Sequence, residues 1–335
     1  MNPKRRTDRE SGQVLVLFGV MLVALLGMGA LAVDGGLLYA QRRGLQNAAD
    51  AASLAATRYM AQSWTGGALS VSDSQVYAVA SYFAGRNGVN SQNTVGSTRT
   101  ITLEHIDQNG VVVGTHPGTV PGSTRGARVT VIGDQPAVLA GIFGFKTVHS
   151  TARAAARFGP PGSAVGVAPL VVDAALGSST RLQPTNGNGN GNYVNAAVID
   201  TSALGSHQSS AEAAKAGMRD VVKVNDVVPT SSADAQRFSQ PLIGAMQDRI
   251  ARGHARGDSA TKFSADSPQL MIAGTNPGNF GGGTIAVTGF RGFFVEDIDP
   301  AGNWLQGQFV NAPLGNGSID YNLAYTGVTI TRMLR

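Results

Sequence analysis

The chain has 335 residues, enough for two ordinary domains or one with appendages, and only 14% are charged against about a quarter in typical soluble domains. Its 26 Lys and Arg exceed its 21 Asp and Glu by five, but the surplus is thinly spread and gives no reason to expect a nucleic-acid partner. Cysteine is absent, which removes disulfide frameworks, thiolate metal sites and cysteine nucleophiles together.

The first twelve residues carry Lys4, Arg5, Arg6 and Arg9, opposed by Asp8 and Glu10. Gln13 to Val33 then contain no charge. At about 1.5 Å per residue these residues span roughly 30 Å, the thickness of a bilayer's hydrocarbon core. The segment lacks the polar stripe that a soluble core helix would show. It is therefore read as a membrane span, with Val14, Leu17, Val20, Leu25, Leu31 and Val33 as anchor residues and the lipid bilayer as partner. The basic tail places residues 1–12 in the cytoplasm and the rest of the chain outside it, a single-pass arrangement in the cytoplasmic membrane. Ala30-Leu31-Ala32 also fits a signal-peptidase site, so cleavage after Ala32 stays open, although the apolar run exceeds the usual length of a signal peptide's core.

Beyond Asp34 the pattern continues as a helix to about Gln62, with Gly35-Gly36 as a place for a flexure. Leu45, Ala48, Ala49, Ala52, Ala55 and Ala56 form an alanine-rich packing face, suited either to the chain's own fold or to another protein. A second helix is expected from Ser72 to Ala84. Strands are expected over Thr98–Leu103, Gly110–Val113 and Ala127–Ile132, then a short apolar helix over Pro136–Phe145 and a strand over Lys146–Phe158. Gly159-Pro160-Pro161-Gly162 breaks the chain. A long helix followed by a small antiparallel sheet, over 34–158, is a pilin-like layout.

These residues also carry a family resemblance. Ala32-Val33-Asp34, Tyr39, Arg42-Arg43 and Leu45-Gln46-Asn47-Ala48-Ala49-Asp50-Ala51-Ala52, placed directly after an apolar span, resemble the N-terminal region of Tad/Flp pilus-assembly proteins of the TadE/TadG group. The resemblance implies a membrane-anchored, non-enzymatic component of a type IV-like pilus assembly or secretion system, with other pilus-assembly proteins as partners. Two departures bear on it. Prepilin-type processing cuts after Gly and requires Glu at the fifth mature position, but counting from Gly12 that position is Leu17, which favours a fixed anchor. Asp200-Thr201-Ser202-Ala203-Leu204 lacks the final serine of the Asp-x-Ser-x-Ser metal motif found in longer relatives, so no von Willebrand A domain is read.

From 159 to 335 the sequence reads as a β-rich extracytoplasmic domain, which makes the fold class α+β. Val165–Ala175 and Val221–Val228 are expected as strands, the Asn/Gly run at 186–192 as a solvated loop and Gln240–Arg252 as an amphipathic helix. Further strands are expected over Leu270–Ala273, Thr284–Val287, Gly292–Val295, Gln308–Val310 and Tyr325–Ile330.

The polar residues assemble no recognisable catalytic motif. His105, His116, His149, His207 and His254 lack metal-ligand spacing, and Gly281-Gly282-Gly283-Thr284 reads as a loop between strands. Asp297, Asp299, Gly302 and Asn303 match part of a calcium loop, but Ala301 and Gln308 occupy ligand positions, so a polar hairpin is expected. Arg256-Gly257-Asp258-Ser259 is a three-residue-scale match to adhesin and hydrolase motifs and reads as an exposed loop. No catalytic, cofactor or metal residue is assigned, and no small-molecule substrate is expected. The competing reading is a secreted adhesin or hydrolase released after Ala32.

Overall fold

The computed structural model describes residues 11–67, 69–89, 98–144, 146–184, 195–278, 280 and 283–334. The expected Asn/Gly loop at 186–192 lies outside the described residues. Helix α1 runs unbroken over Ser11–Gln62, 52 residues or about 78 Å, passing through Gly35-Gly36 without interruption. Its alanine-rich second half forms helix strongly, and the apolar first half has no breaker. Helix α2 (Asp73–Arg86) begins in a capping box, where Ser72 Oγ accepts the Gln75 amide and the Gln75 side chain accepts the Ser72 amide.

Four strands follow: β1 (Thr98–Ile106), β2 (Val112–Thr115), β3 (Gly126–Pro136) and β4 (Thr147–Gly159). The helix expected over Pro136–Phe145 is not formed as such. Pro136 pairs with Thr147 at the end of the β3–β4 ladder, and only Ala140–Phe143 winds, as a 3₁₀ turn. Gly141 and Gly144 weaken helix here, and Gly144, with φ of +92°, ends the turn.

The chain then forms β5 (Pro161–Ala164), β6 (Leu170–Asp173), β7 (Ser179–Leu182), β8 (Ala196–Val198), a 3₁₀ turn at Thr201–Ala203 and helix α3 (Ser210–Ala216). Strands β9 (Val222–Lys223) and β10 (Val227–Pro229) replace the single strand expected over Val221–Val228, because Asn225 adopts a left-handed φ of +73° between them. Helix α4 (Gln240–Arg256) precedes β11 (Leu270–Asn276), β12 (Thr284–Ala286), β13 (Gly289–Ile298) and β14 (Leu305–Val310). The described chain closes with β15 (Ala312–Leu314), β16 (Gly317–Ile319) and β17 (Val328–Leu334). The expectation of an apolar helix followed by sheets, an α+β fold, agrees with this architecture.

Two six-stranded sheets organise the molecule. The first has the order β15-β17-β4-β3-β1-β2, antiparallel except for the parallel pair β15 and β17. The second has the order β7-β14-β13-β11-β6-β8, with β11 and β6 parallel. The second half of α1 covers one face of the first sheet, with α2 packed against α1 and reaching β1, and α3 and α4 accompany the second. Strands β15 and β17 enter the first sheet from the far end of the sequence, and their Ala312, Leu314, Val328 and Ile330 share a core with Val171, Ile272 and Phe290 of the second. Hydrogen bonds and packing therefore both cross the Gly159–Gly162 break.

Candidate functional site

Helix α1 has two chemically different halves. Val14, Leu17, Val20, Leu25, Leu31 and Val33 are all exposed, together with nearly every other side chain described from Val14 to Val33. This half is long and apolar enough to cross a membrane. An 18-residue stretch of such exposed surface is far larger than a soluble protein leaves in water.

The other half is bound into the fold. Leu45, Ala48, Ala49, Ala52 and Ala56 are fully buried and Ala55 is half-buried. They face Ala127, Val129 and Val131 of β3 and Ala152 and Ala154 of β4 in a common core. Small side chains on both sides let the helix backbone approach the sheet closely. Thr57 uses that proximity: its hydroxyl donates to the Ala156 carbonyl at 3.2 Å and accepts the Ala127 amide at 3.1 Å, entering the β3–β4 ladder at its Ala127–Ala156 pair. Next to it, any side chain on Gly126 would lie 2.1 Å from the Ala156 oxygen, so glycine is required there.

Asp34, the first charge after the span, sits where the two halves meet. Its carboxylate accepts the amides of Val138 at 3.1 Å, Leu139 at 3.1 and 3.2 Å, and Ala140 at 2.5 Å. The Ala140 amide, followed by those of Leu139 and Val138, holds the carboxyl below its usual range against the opposing effect of partial burial. Nothing in the local sequence shows that Asp34 binds a turn more than a hundred residues away.

A second polar cluster joins residues that the sequence leaves scattered. Asp73, at the first turn of α2, contacts His105 Nε2 at 2.7 Å through one oxygen and His116 Nδ1 at 2.5 Å through the other, which also accepts the Gly118 amide at 3.0 Å. His105 is fully buried and its Nδ1 has no partner among the described residues, while the His116 ring stacks on Tyr77 at 3.9 Å. Burial pushes the Asp73 carboxyl up, but the bonds from His105, His116 and Gly118 outweigh it and hold the group below the usual range. The carboxylate is committed to three donors and fastens α2 to the β1–β2 region. His149, itself exposed, instead pairs with half-buried Asp134, and His207 bonds the Ser202 carbonyl.

Beside the second sheet, Arg249 is buried with no carboxylate partner among the described residues. Its guanidinium donates to the carbonyls of Ala214, Lys215 and Leu270 at 2.7–2.9 Å, satisfying the C-terminal end of α3. Burial lowers its pKa to about 10, which leaves it charged at neutral pH. Arg249, Arg252, Arg256 and Lys215 line a cavity of about 430 Å³, with Arg252 paired to Asp248 and Arg256 to Asp266. The Arg256–Ser259 stretch is accordingly engaged: Gly257 caps α4 with φ of +75°, and Asp258 accepts the Ser267 hydroxyl. The Asp299 carboxylate accepts the amides of Ala301 and Asn303 at 3.1 Å, an internally bonded hairpin at the expected place. Asp200 similarly caps its own turn by accepting the Ser202 amide.

Residues 12–63 match the family model described as "Tad: Putative Flp pilus-assembly TadE/G-like". The matched segment nearly coincides with α1, and thus with the span, Asp34 and the buried alanine face together. No curated protein and no solved structure matches the chain.

Proposed function

We propose that a chain whose first helix is a TadE/G-like segment is a membrane-anchored, non-enzymatic component of a Tad/Flp-type pilus assembly, acting through protein–protein contacts. The single observation that carries this reading is the coincidence of the family match with one helix that changes from lipid-type surface to packed core at Asp34. In this arrangement residues 13–33 hold the protein in the cytoplasmic membrane with the basic tail inside. The two sheets are presented outside to other assembly proteins. The polar clusters at Asp73 and Arg249 are engaged in holding elements together, which supports a structural rather than a catalytic role.

The test is to express the chain in a host that makes Flp pili and to measure intact mass in separated membrane and culture fractions. Full-length protein in the membrane is expected. Leu25→Arg places a charge at mid-span at a cost of about 2.5–3.5 kcal/mol and is expected to abolish membrane retention. Deletion is expected to remove surface pili, and only the wild-type chain, not Leu25→Arg, is expected to restore them. Normal piliation in the deletion strain would overturn the pilus assignment. A soluble product beginning at Val33 would overturn the anchor and favour the secreted reading.

A further inference from the structure

The depth of the β3–β4 hairpin along α1 can be followed contact by contact. Three pairs before the ladder ends at its tip side, a Cβ on Gly133 would meet Gln41 and Leu45 at 2.9 and 3.0 Å. Several residues farther along the hairpin, the amides of Val138, Leu139 and Ala140 bind Asp34. The hairpin thus descends along α1 toward the apolar span. Its tip, the Ala140–Phe143 turn, also packs on α1. Ala30, about 6 Å below Asp34, is only 4% exposed, whereas its neighbour Leu31 is 77% exposed. Because Ala140 and Leu139 bind Asp34, the residue directly after Val33, the tip lies level with the last turn of the apolar half of α1.

The chemistry of the tip suits that depth. From Ala137 to Phe145 no residue carries a charged or hydrogen-bonding side chain. Val138 is 60% exposed. The backbone is closed by the Ala137 amide donating to the Lys146 carbonyl at 3.1 Å. Asp34 satisfies three further amides that would otherwise be costly to dehydrate. Lys146, exposed, is the first charge after the apolar run, and Tyr39, 74% exposed, stands about 7.5 Å above Asp34.

We propose that the tip of the β3–β4 hairpin, Ala137–Gly144, is a second membrane contact that inserts into the lipid interface beside α1. The occupant of this apolar surface is the bilayer, because the surface is continuous with the span. The inference rests on the reading that residues 13–33 remain in the membrane. Two attachments, one spanning and one interfacial, fix the tilt and rotation of the protein on the membrane, which a single helix leaves free.

The chain has no cysteine, so single labelling sites can be introduced cleanly. Gly141→Cys and Val138→Cys report the tip, Leu25→Cys the span, and Gly122→Cys the turn before the far end of β3. A Cβ at Gly141 or Gly122 meets nothing within 4 Å. The full chain would be labelled with an environment-sensitive NBD fluorophore and reconstituted in phosphatidylethanolamine–phosphatidylglycerol vesicles carrying doxyl lipid, with the doxyl group shallow in one set and deep in the other. The tip labels are expected to be blue-shifted and quenched by the shallow doxyl, and the Leu25 label to be blue-shifted and quenched by the deep one, while Gly122 stays water-like and unquenched by either. Quenching at Leu25 with both tip labels behaving like Gly122 would overturn the second contact and leave the anchor standing. An unquenched Leu25 label would overturn the anchor and the second contact with it.

Discussion

Asp73 carries three donors on one carboxylate, and its removal isolates the most deeply buried imidazole in the chain. Asp73→Ala leaves His105 without a partner on either ring nitrogen, at an expected cost of about 1–3 kcal/mol in thermal or denaturant unfolding of the detergent-solubilised protein. The pH dependence has a definite sign. A carboxyl held below its unfolded value contributes fully above that value, roughly pH 4, and the contribution is lost as pH falls through the folded pKa. The wild type should therefore lose stability on acidification more steeply than Asp73→Asn, and parallel acid limbs would refute this. Arg249 is the counterpart in the second lobe. Arg249→Met leaves the carbonyls of Ala214, Lys215 and Leu270 without their charged donor and should cost about 3 kcal/mol or more, visible as a lowered Tm. Neither cluster was legible in the sequence. Asp73 lies 32 residues from His105 and 43 from His116, so only the folded sheet brings them together.

Among the elements, α1 was the most legible, because a charge-free run and a 3.6-residue alanine pattern are both local signals. Most strands of the first sheet were also readable, and β4 buries alternate residues Ser150, Ala152, Ala154, Ala156 and Phe158 toward the helix. Short strands such as β7 and β16 and the seven-residue α3 carry too few residues for periodicity to detect, although Ser209 and Glu212 form a capping box at the start of α3. The close seating of α1 on the sheet predicts intolerance to bulk. Ala52→Leu forces three carbons into a filled interface and should destabilise by about 1–3 kcal/mol, measured by thermal unfolding. Leucine on the exposed face at Arg58 serves as the control and should change stability little. At the junction, Asp34→Ala should raise hydrogen exchange at Val138, Leu139 and Ala140 while leaving the β3–β4 ladder protected. Unchanged exchange at those three amides would show that another acceptor holds the turn.

In the whole molecule, β17 links the two sheets. It pairs with β4 across Leu334–Ala155 to Ile330–Gly159, while Val328 and Ile330 face the core that holds Phe290 and Ile272. Its place beside β4 was not legible because pairing between strands so distant in sequence leaves no local mark. Ile330→Ala should cost about 2–5 kcal/mol and lower a single calorimetric transition of the extramembrane part; two transitions, with only one displaced, would show that the lobes melt independently. The same strand imposes an order on biosynthesis. Residue 159 ends β4 and residue 328 begins β17, a gap of 328 − 159 = 169 positions. At roughly 5–20 residues per second the ribosome needs on the order of ten to thirty seconds to bridge it. Throughout that interval the outer edge of β4 has its amides and carbonyls unpaired, the condition under which nascent chains stick to one another. With residues 13–33 held in the membrane as proposed, a hydrophobic helix made before the sheets would tether each unfinished molecule until the closing strand arrives.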